Sequence, residues 1–96
     1  MIVNFASKSA QDIFDRVLSR HAKKIPINLH NKIRRLFDLL NAAYKINDLK
    51  SPPGNRLELL KGSLSNKWSI RVNSQWRIIF EWTDGKALNV DIVDYH

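Results

Sequence analysis

Two groups of residues in this sequence could do chemistry on a polyanion. The first is a pair of arginines. Trp68-Ser69-Ile70-Arg71-Val72 and Trp76-Arg77-Ile78-Ile79-Phe80-Glu81-Trp82 both alternate apolar and polar positions, the pattern of strands with one face on a core and one face open. If Asn73-Ser74-Gln75 is a three-residue hairpin loop, Val72 pairs with Trp76 and Arg71 lies opposite Arg77. Like charges directly opposite each other cost from a few tenths to about 1 kcal/mol. Either the side chains splay into water, with Glu81 on the same face screening one of them, or the pair is a preformed anion site, because a planar guanidinium matches a phosphate bidentately. Arg56, Lys61 and Lys67 lie near the same strand ends and would extend the positive field. The second group is Asp94-Tyr95-His96, which joins a carboxylate, a phenol and an imidazole. Histidine titrates near neutral pH and serves as general acid or base. A terminal histidine is ordinarily frayed, but an apolar strand leading straight into Asp-Tyr-His argues for an end pinned to the sheet.

The charge distribution suits such a site. Sixteen Lys and Arg face nine Asp and Glu, a net of +7. Residues 1–80 carry 15 basic and 5 acidic side chains, a net of +10, whereas residues 81–96 carry one basic and four acidic. A basic body favours a polyanion, or an acidic protein, as partner. There is no cysteine, which excludes disulfides and thiolate metal sites. His21, His30 and His96 have no metal-ligand spacing, and no cofactor or metal is expected. Gly-rich phosphate loops and nucleophile elbows are missing too. The apolar run at the amino terminus is too short for a signal peptide, and no stretch approaches the roughly 20 apolar residues of a membrane span. The expectation is a soluble cytoplasmic protein without a membrane partner.

The 96 residues are read as one domain. Ile2-Val3-Asn4-Phe5 reads as a short strand. Ser9-Ala10-Gln11-Asp12 has the spacing of a capping box, and Ile13, Phe14, Val17 and Leu18 follow on one helical face, which predicts a helix ending near Arg20. Pro26 fits the first turn of a second helix. Its apolar stripe is Leu29, Ile33, Leu36, Phe37, Leu40 and Ala43 or Tyr44, with Lys32, Arg34, Arg35 and Asp38 off the stripe. The basic back of that helix is a candidate docking face. Asp48 to Asn55, with two prolines and a Gly-Asn pair, reads as a loop, and a strand resumes over Arg56–Leu60.

The last strand has Leu88, Val90 and Ile92 on the core face. A two-residue Asp84-Gly85 turn would put Asn89 opposite Phe80, in the core. A three-residue turn, Asp84-Gly85-Lys86, pairs Trp82 with Leu88 and Phe80 with Val90, and is the expected one. It sets Arg77 across from Val93, with Tyr95 one step further on the same open face. The expected fold is α+β: two N-terminal helices on one face of a four- to five-stranded, mainly antiparallel sheet.

Arg56-Leu-Glu-Leu-Leu-Lys-Gly62, Trp68-Ser-Ile-Arg-Val-Asn73, Gln75-Trp-Arg-Ile-Ile-Phe80, the Asp84-Gly85 turn and Val93-Asp-Tyr-His96 closely resemble the body of the HigB-type branch of the RelE-like bacterial toxins. The likeness is close over about residues 44–96; the first 43 share the strand–helix–helix layout. The resemblance implies a RelE-like microbial ribonuclease fold and an enzyme that enters the ribosomal A site and cuts mRNA, using the RNA's own 2′-hydroxyl and no metal. It implies neutralisation by a HigA-type antitoxin, with operator DNA bound only as the toxin–antitoxin complex. Carried over, Arg77 stabilises charge on the scissile phosphate, Tyr95 and His96 orient the RNA and move protons, Asp94 positions His96, and Lys61 holds the backbone. Some members carry histidine where this chain, like other members, has Glu58; Glu58 is then either a candidate base or the mark of a weaker site. Two other readings stand beside this one: a ParE-like toxin that inhibits DNA gyrase by binding, and a non-catalytic basic RNA-binding module, whose binding would be strongly salt-dependent.

Overall fold

A computed structural model describes residues 1–62 and 66–95. Two α-helices, α1 (Lys8–Phe14) and α2 (His30–Ala42), precede four strands, β1 (Glu58–Leu59), β2 (Trp68–Arg71), β3 (Trp76–Thr83) and β4 (Lys86–Asp94). The strands form an antiparallel meander in the order β1-β2-β3-β4. This is the α+β fold the residue pattern predicts. The segment expected as a first strand runs parallel to β4, through bridges Ile2 to Ala87 and Phe5 to Val90. The amides of Val3 and Ala6 donate to the carbonyls of Ala87 and Val90, both at 2.8 Å.

The core lies between the helices and one face of the sheet. Ile13, Ile33, Phe37 and Leu40 meet Ile70, Val72, Ile78, Phe80 and Val90, and all are fully buried. Phe5, Phe14 and Phe37 form a triangle of rings with centroids 5.2 to 6.1 Å apart, which ties the N-terminal segment, α1 and α2 together. The stripe on α2 is as expected and continues to Ala43; Tyr44 stands out in solvent.

Helix α1 departs from expectation at both ends. Its N-cap is Ser7, whose hydroxyl accepts from the Ala10 amide, and not Ser9; Ser9 instead donates to the His21 carbonyl at 2.8 Å. The helix stops at Phe14, not near Arg20, because Arg16 turns into the left-handed region at φ 61°. The amides of Arg16 and Val17 then return to the carbonyls of Ile13 and Asp12, the bonding of a Schellman end. Val17 and Leu18, which continue the helical period, are thereby left exposed. Asp12 closes the turn that follows. It accepts from Ser19 and pairs with Lys8 at 3.1 Å, and the Ser19 hydroxyl, ahead of Lys8, holds its carboxyl below the usual carboxylate range. Asp48 to Asn55 is no open loop: short 3-10 turns cover Ile46–Lys50 and Pro53–Asn55. The strand expected over Arg56–Leu60 is only two residues long.

The register at the first hairpin is as expected, with Arg71 opposite Arg77. The second turn is not. It is the two-residue Asp84-Gly85 turn, with Trp82 opposite Ala87 and Thr83 opposite Lys86; both turn residues have positive φ, 48° and 75°, as a type I′ hairpin requires. The conflict over Asn89 is resolved by a bulge. Between the pairs Ile79–Asp91 and Glu81–Leu88, β3 advances two residues and β4 three. Asn89 sits in this irregularity at φ 51° and is exposed. Leu88 therefore lies on the Glu81 face, and Ala87 takes its place in the core. Beyond the bulge the register matches that of a three-residue turn, and Arg77 pairs with Val93 as expected.

Asn89 is held at its backbone and its side chain. Its amide donates to Asn4 Oδ1 at 2.9 Å, and its Oδ1 accepts from Asn4 Nδ2 at 2.8 Å. Asn89→Val forces a β-branched residue into the left-handed region and removes the side-chain bonds, and should cost roughly 2–4 kcal/mol. Asn89→Gly keeps the backbone easy and should cost only about 1 kcal/mol. Urea unfolding midpoints measure both; equal midpoints for the two variants would show that the bulge does not depend on this conformation.

Candidate functional site on the helix-free face

The face of the sheet turned away from the helices is not bare. Two residues from Arg71 on β2, Ser69 is fully buried, and Ile79 on β3 is nearly so. Arg77 lies across this face with a side chain only 14% exposed. Its Nη1 donates to Ser69 Oγ at 3.0 Å. Its Nη2 is 3.6 Å from Oε1 of Glu58, on the edge strand β1. Its Cζ lies 5.0 Å from the centre of the Tyr95 ring, a cation–π distance. The residues that converge on this β3 guanidinium thus come from β1, from β2 and from the position that follows β4.

Strand pairing explains the convergence. Glu58 pairs with Ser69, Arg71 with Arg77, and Arg77 with Val93. Ser69 and Tyr95 are therefore the diagonal neighbours of Arg77, within reach of a long side chain. The Tyr95 amide donates to the Gln75 carbonyl at 2.6 Å, so the chain is still fastened to the first hairpin at this point. Asp94, across from Trp76, accepts from Gln75 Nε2 at 3.0 Å. His96 lies outside the described residues.

The ion pairing of this face differs from the sequence-based picture. Arg77 has an anionic neighbour in Glu58. Glu81 screens neither arginine: it pairs with Lys67 at 3.2 Å and accepts from Asn89 Nδ2 at 2.7 Å. The Asn89 amide, and after it the Lys67 ammonium, hold the Glu81 carboxyl below its usual range. Lys67 is thus partly neutralised. Arg71 is half-buried and has no ion pair among the described residues. Arg56 and Lys61 are exposed on either side of β1, Arg56 in the left-handed conformation that ends the Pro53–Asn55 turn. Ser69 is the residue that sequence reasoning missed. Its signal was present in the register, which makes it diagonal to Arg77, but an alternating serine on an open face reads as ordinary surface.

A guanidinium carries five N–H donors, so the contacts with Ser69 and Glu58 leave several for an incoming oxyanion. The Tyr95 ring, 5.0 Å from Cζ, covers one side of the guanidinium and limits the directions from which an oxyanion can reach them. The arrangement is suited to holding a phosphate in a set orientation and stabilising added negative charge on it.

The chain is similar to several known proteins. A protein of Proteus vulgaris named Endoribonuclease HigB is 28% identical over 96 residues, covering all of both chains. Toxin HigB-1 of Vibrio cholerae is 40% identical over 89 residues, covering 93% of this chain and 92% of the relative. Among solved structures, a chain of the YoeB-YefM complex from Staphylococcus aureus superimposes with a TM-score of 0.56 at 19% identity, over 100% of this chain and 95% of the other, a likeness of fold. The family model for the RelE-like toxin of type II toxin-antitoxin system HigB matches residues 4–96, nearly the whole length that carries the Arg77 cluster, and the chain belongs to that family of toxins.

Proposed function

We propose that this protein is an endoribonuclease toxin that cuts mRNA in the ribosomal A site and is neutralised by a HigA-type antitoxin. The observation that carries the reading is the Arg77 guanidinium, bonded to Ser69 and 5.0 Å from the centre of the Tyr95 ring, in a chain of net charge +7. The relative named as an endoribonuclease supports it. In this mechanism the 2′-hydroxyl of one nucleotide attacks the adjacent phosphorus and the bond to the 5′-oxygen of the next nucleotide breaks. The products are a cyclic phosphate and a free 5′-hydroxyl. Arg77 stabilises the charge that accumulates on the phosphate. Tyr95 and His96 orient the RNA and move the protons, with Asp94 positioning His96. Lys61, Arg56, Lys67 and Arg71 supply the field that holds the RNA backbone. The protein works as one domain in the cytoplasm, needs no metal or cofactor, and reaches operator DNA only in complex with the antitoxin.

Arg77→Ala should abolish growth arrest in a chain that still folds, because the phosphate-binding guanidinium is lost while the hydrophobic core, to which Arg77 does not belong, is unchanged. Arg77→Lys should rescue only in part, since an ammonium is a point charge without the fork. Colony counts after induction, with circular dichroism of the purified variants, measure both; an Arg77→Ala protein as toxic as the parent would remove Arg77 from the mechanism.

Deleting His96 should stop mRNA cleavage and leave antitoxin binding intact. Identical cleavage fragments from the truncated protein would deny the imidazole any part in proton transfer.

Of the three histidines only His96 is near this face in sequence; His30 is buried in the helical layer with Nε2 2.9 Å from the Ile25 carbonyl. Acid–base catalysis is worth about 10²–10⁴-fold, and with few such groups here the remaining acceleration must come from orienting the 2′-hydroxyl in line with the phosphate. A ribosome that stretches mRNA in its A site supplies that. Primer extension should therefore find 5′ ends on translating ribosomes and almost none on the same free RNA, in EDTA or in magnesium. Site-selective cutting of naked RNA at nanomolar protein would point instead to a self-sufficient nuclease.

A further inference from the structure

Ser69 is the most deeply buried polar residue on the helix-free face. A buried hydroxyl without a partner costs about 1–3 kcal/mol, and an apolar residue of similar size would fill the site without that penalty. Its partner is Arg77 Nη1, 3.0 Å away. The other edge of the guanidinium is held differently. Glu58 approaches Nη2 at 3.6 Å, beyond hydrogen-bond length, and its side chain is 50% exposed on a strand two residues long. One edge of Arg77 is therefore anchored to a fixed neutral oxygen in the protein, and the other faces a carboxylate that water reaches.

We propose that Ser69 is a positioning residue. Its hydroxyl fixes the rotation and depth of the Arg77 guanidinium against the Tyr95 ring, so that the Nη2 edge is presented to the RNA phosphate, which exchanges for Glu58. This rests on the reading of Arg77 as the phosphate-binding group. A neutral anchor suits the task better than an acidic one, because a fixed carboxylate at Nη1 would cancel the charge that must act on the phosphate. Arg71, directly opposite Arg77, repels any drift of the guanidinium along the strand pair toward it, which leaves the hydroxyl as the group that sets the resting place.

The test is cleavage of a defined message on stalled ribosomes, with rate constants at saturating toxin and half-saturating concentrations measured separately. Ser69→Ala removes the oxygen, and Ser69→Cys removes the strong acceptor while keeping the volume filled. Both should lower the saturating rate constant by roughly 10–100-fold, the scale for a misplaced reacting group, with the half-saturating concentration nearly unchanged. Ser69→Thr keeps the hydroxyl and should recover most of the rate. Because Ser69 acts through Arg77, the Arg77→Ala and Ser69→Ala double variant should be no slower than Arg77→Ala alone. Parental rates in Ser69→Cys, or losses that add in the double variant, would overturn the positioning role. A fully active Arg77→Ala protein would instead overturn the assignment of Arg77 itself.

Discussion

The pairing of Arg77 with Val93 holds the helix-free face together. Side chains alternate across a sheet, so a slip of one residue between β3 and β4 would carry Tyr95 to the core side and leave Arg77 without the ring beneath it. That register is set at the far end of the hairpin, by a tight turn at Asp84-Gly85 and an extra residue at Asn89. The turn brings the strands together out of step with the pattern needed at Arg77, and the bulge restores the step. The contacts of Asn89 with Asn4 and Glu81 thus hold in place a site several residues away.

Much of this was legible in the residues. Strict alternation through Trp68–Val72 and Trp76–Trp82 identified two strands, their faces and the opposition of Arg71 to Arg77, because a buried face admits one register. The apolar stripe of α2 was legible for the same reason. The Asn89 bulge was not, since a three-residue turn and a two-residue turn with a bulge produce the same pairing at Arg77. They differ only locally, in whether Leu88 or Ala87 faces the core. The early end of α1 was hidden as well: Val17 and Leu18 keep the helical period, and a left-handed Arg16 carries no sequence mark of the kind a glycine would. At the candidate site, residue types pointed to Arg77 and the Asp94-Tyr95 end, while the bond from Arg77 to Ser69 is a side-chain contact that periodicity does not encode.

The electrostatics of this face are a compromise. Two arginines opposite each other raise the energy of the folded chain, and Glu58 relieves only part of it from the exposed edge. Glu81, which stands on the same face, is drawn away to Lys67 and Asn89. A carboxylate fixed directly between the arginines would make a more stable sheet and a poorer phosphate site. The geometry keeps the positive charge and tolerates the repulsion, as functional sites commonly do.

The shortness of β1 has a further consequence. An edge strand with free backbone donors and acceptors is a template on which another chain can pair, and such edges lead to aggregation. The sheet here is closed on the β4 side by the parallel N-terminal segment. On the other side it ends in a strand of two residues, one of them the charged Glu58. That edge offers too few groups in line to recruit a neighbouring sheet. Arg77, whose guanidinium reaches across β2 to Glu58 on that strand, can thus act near the β1 edge without that edge becoming a place where copies of the chain stick to one another.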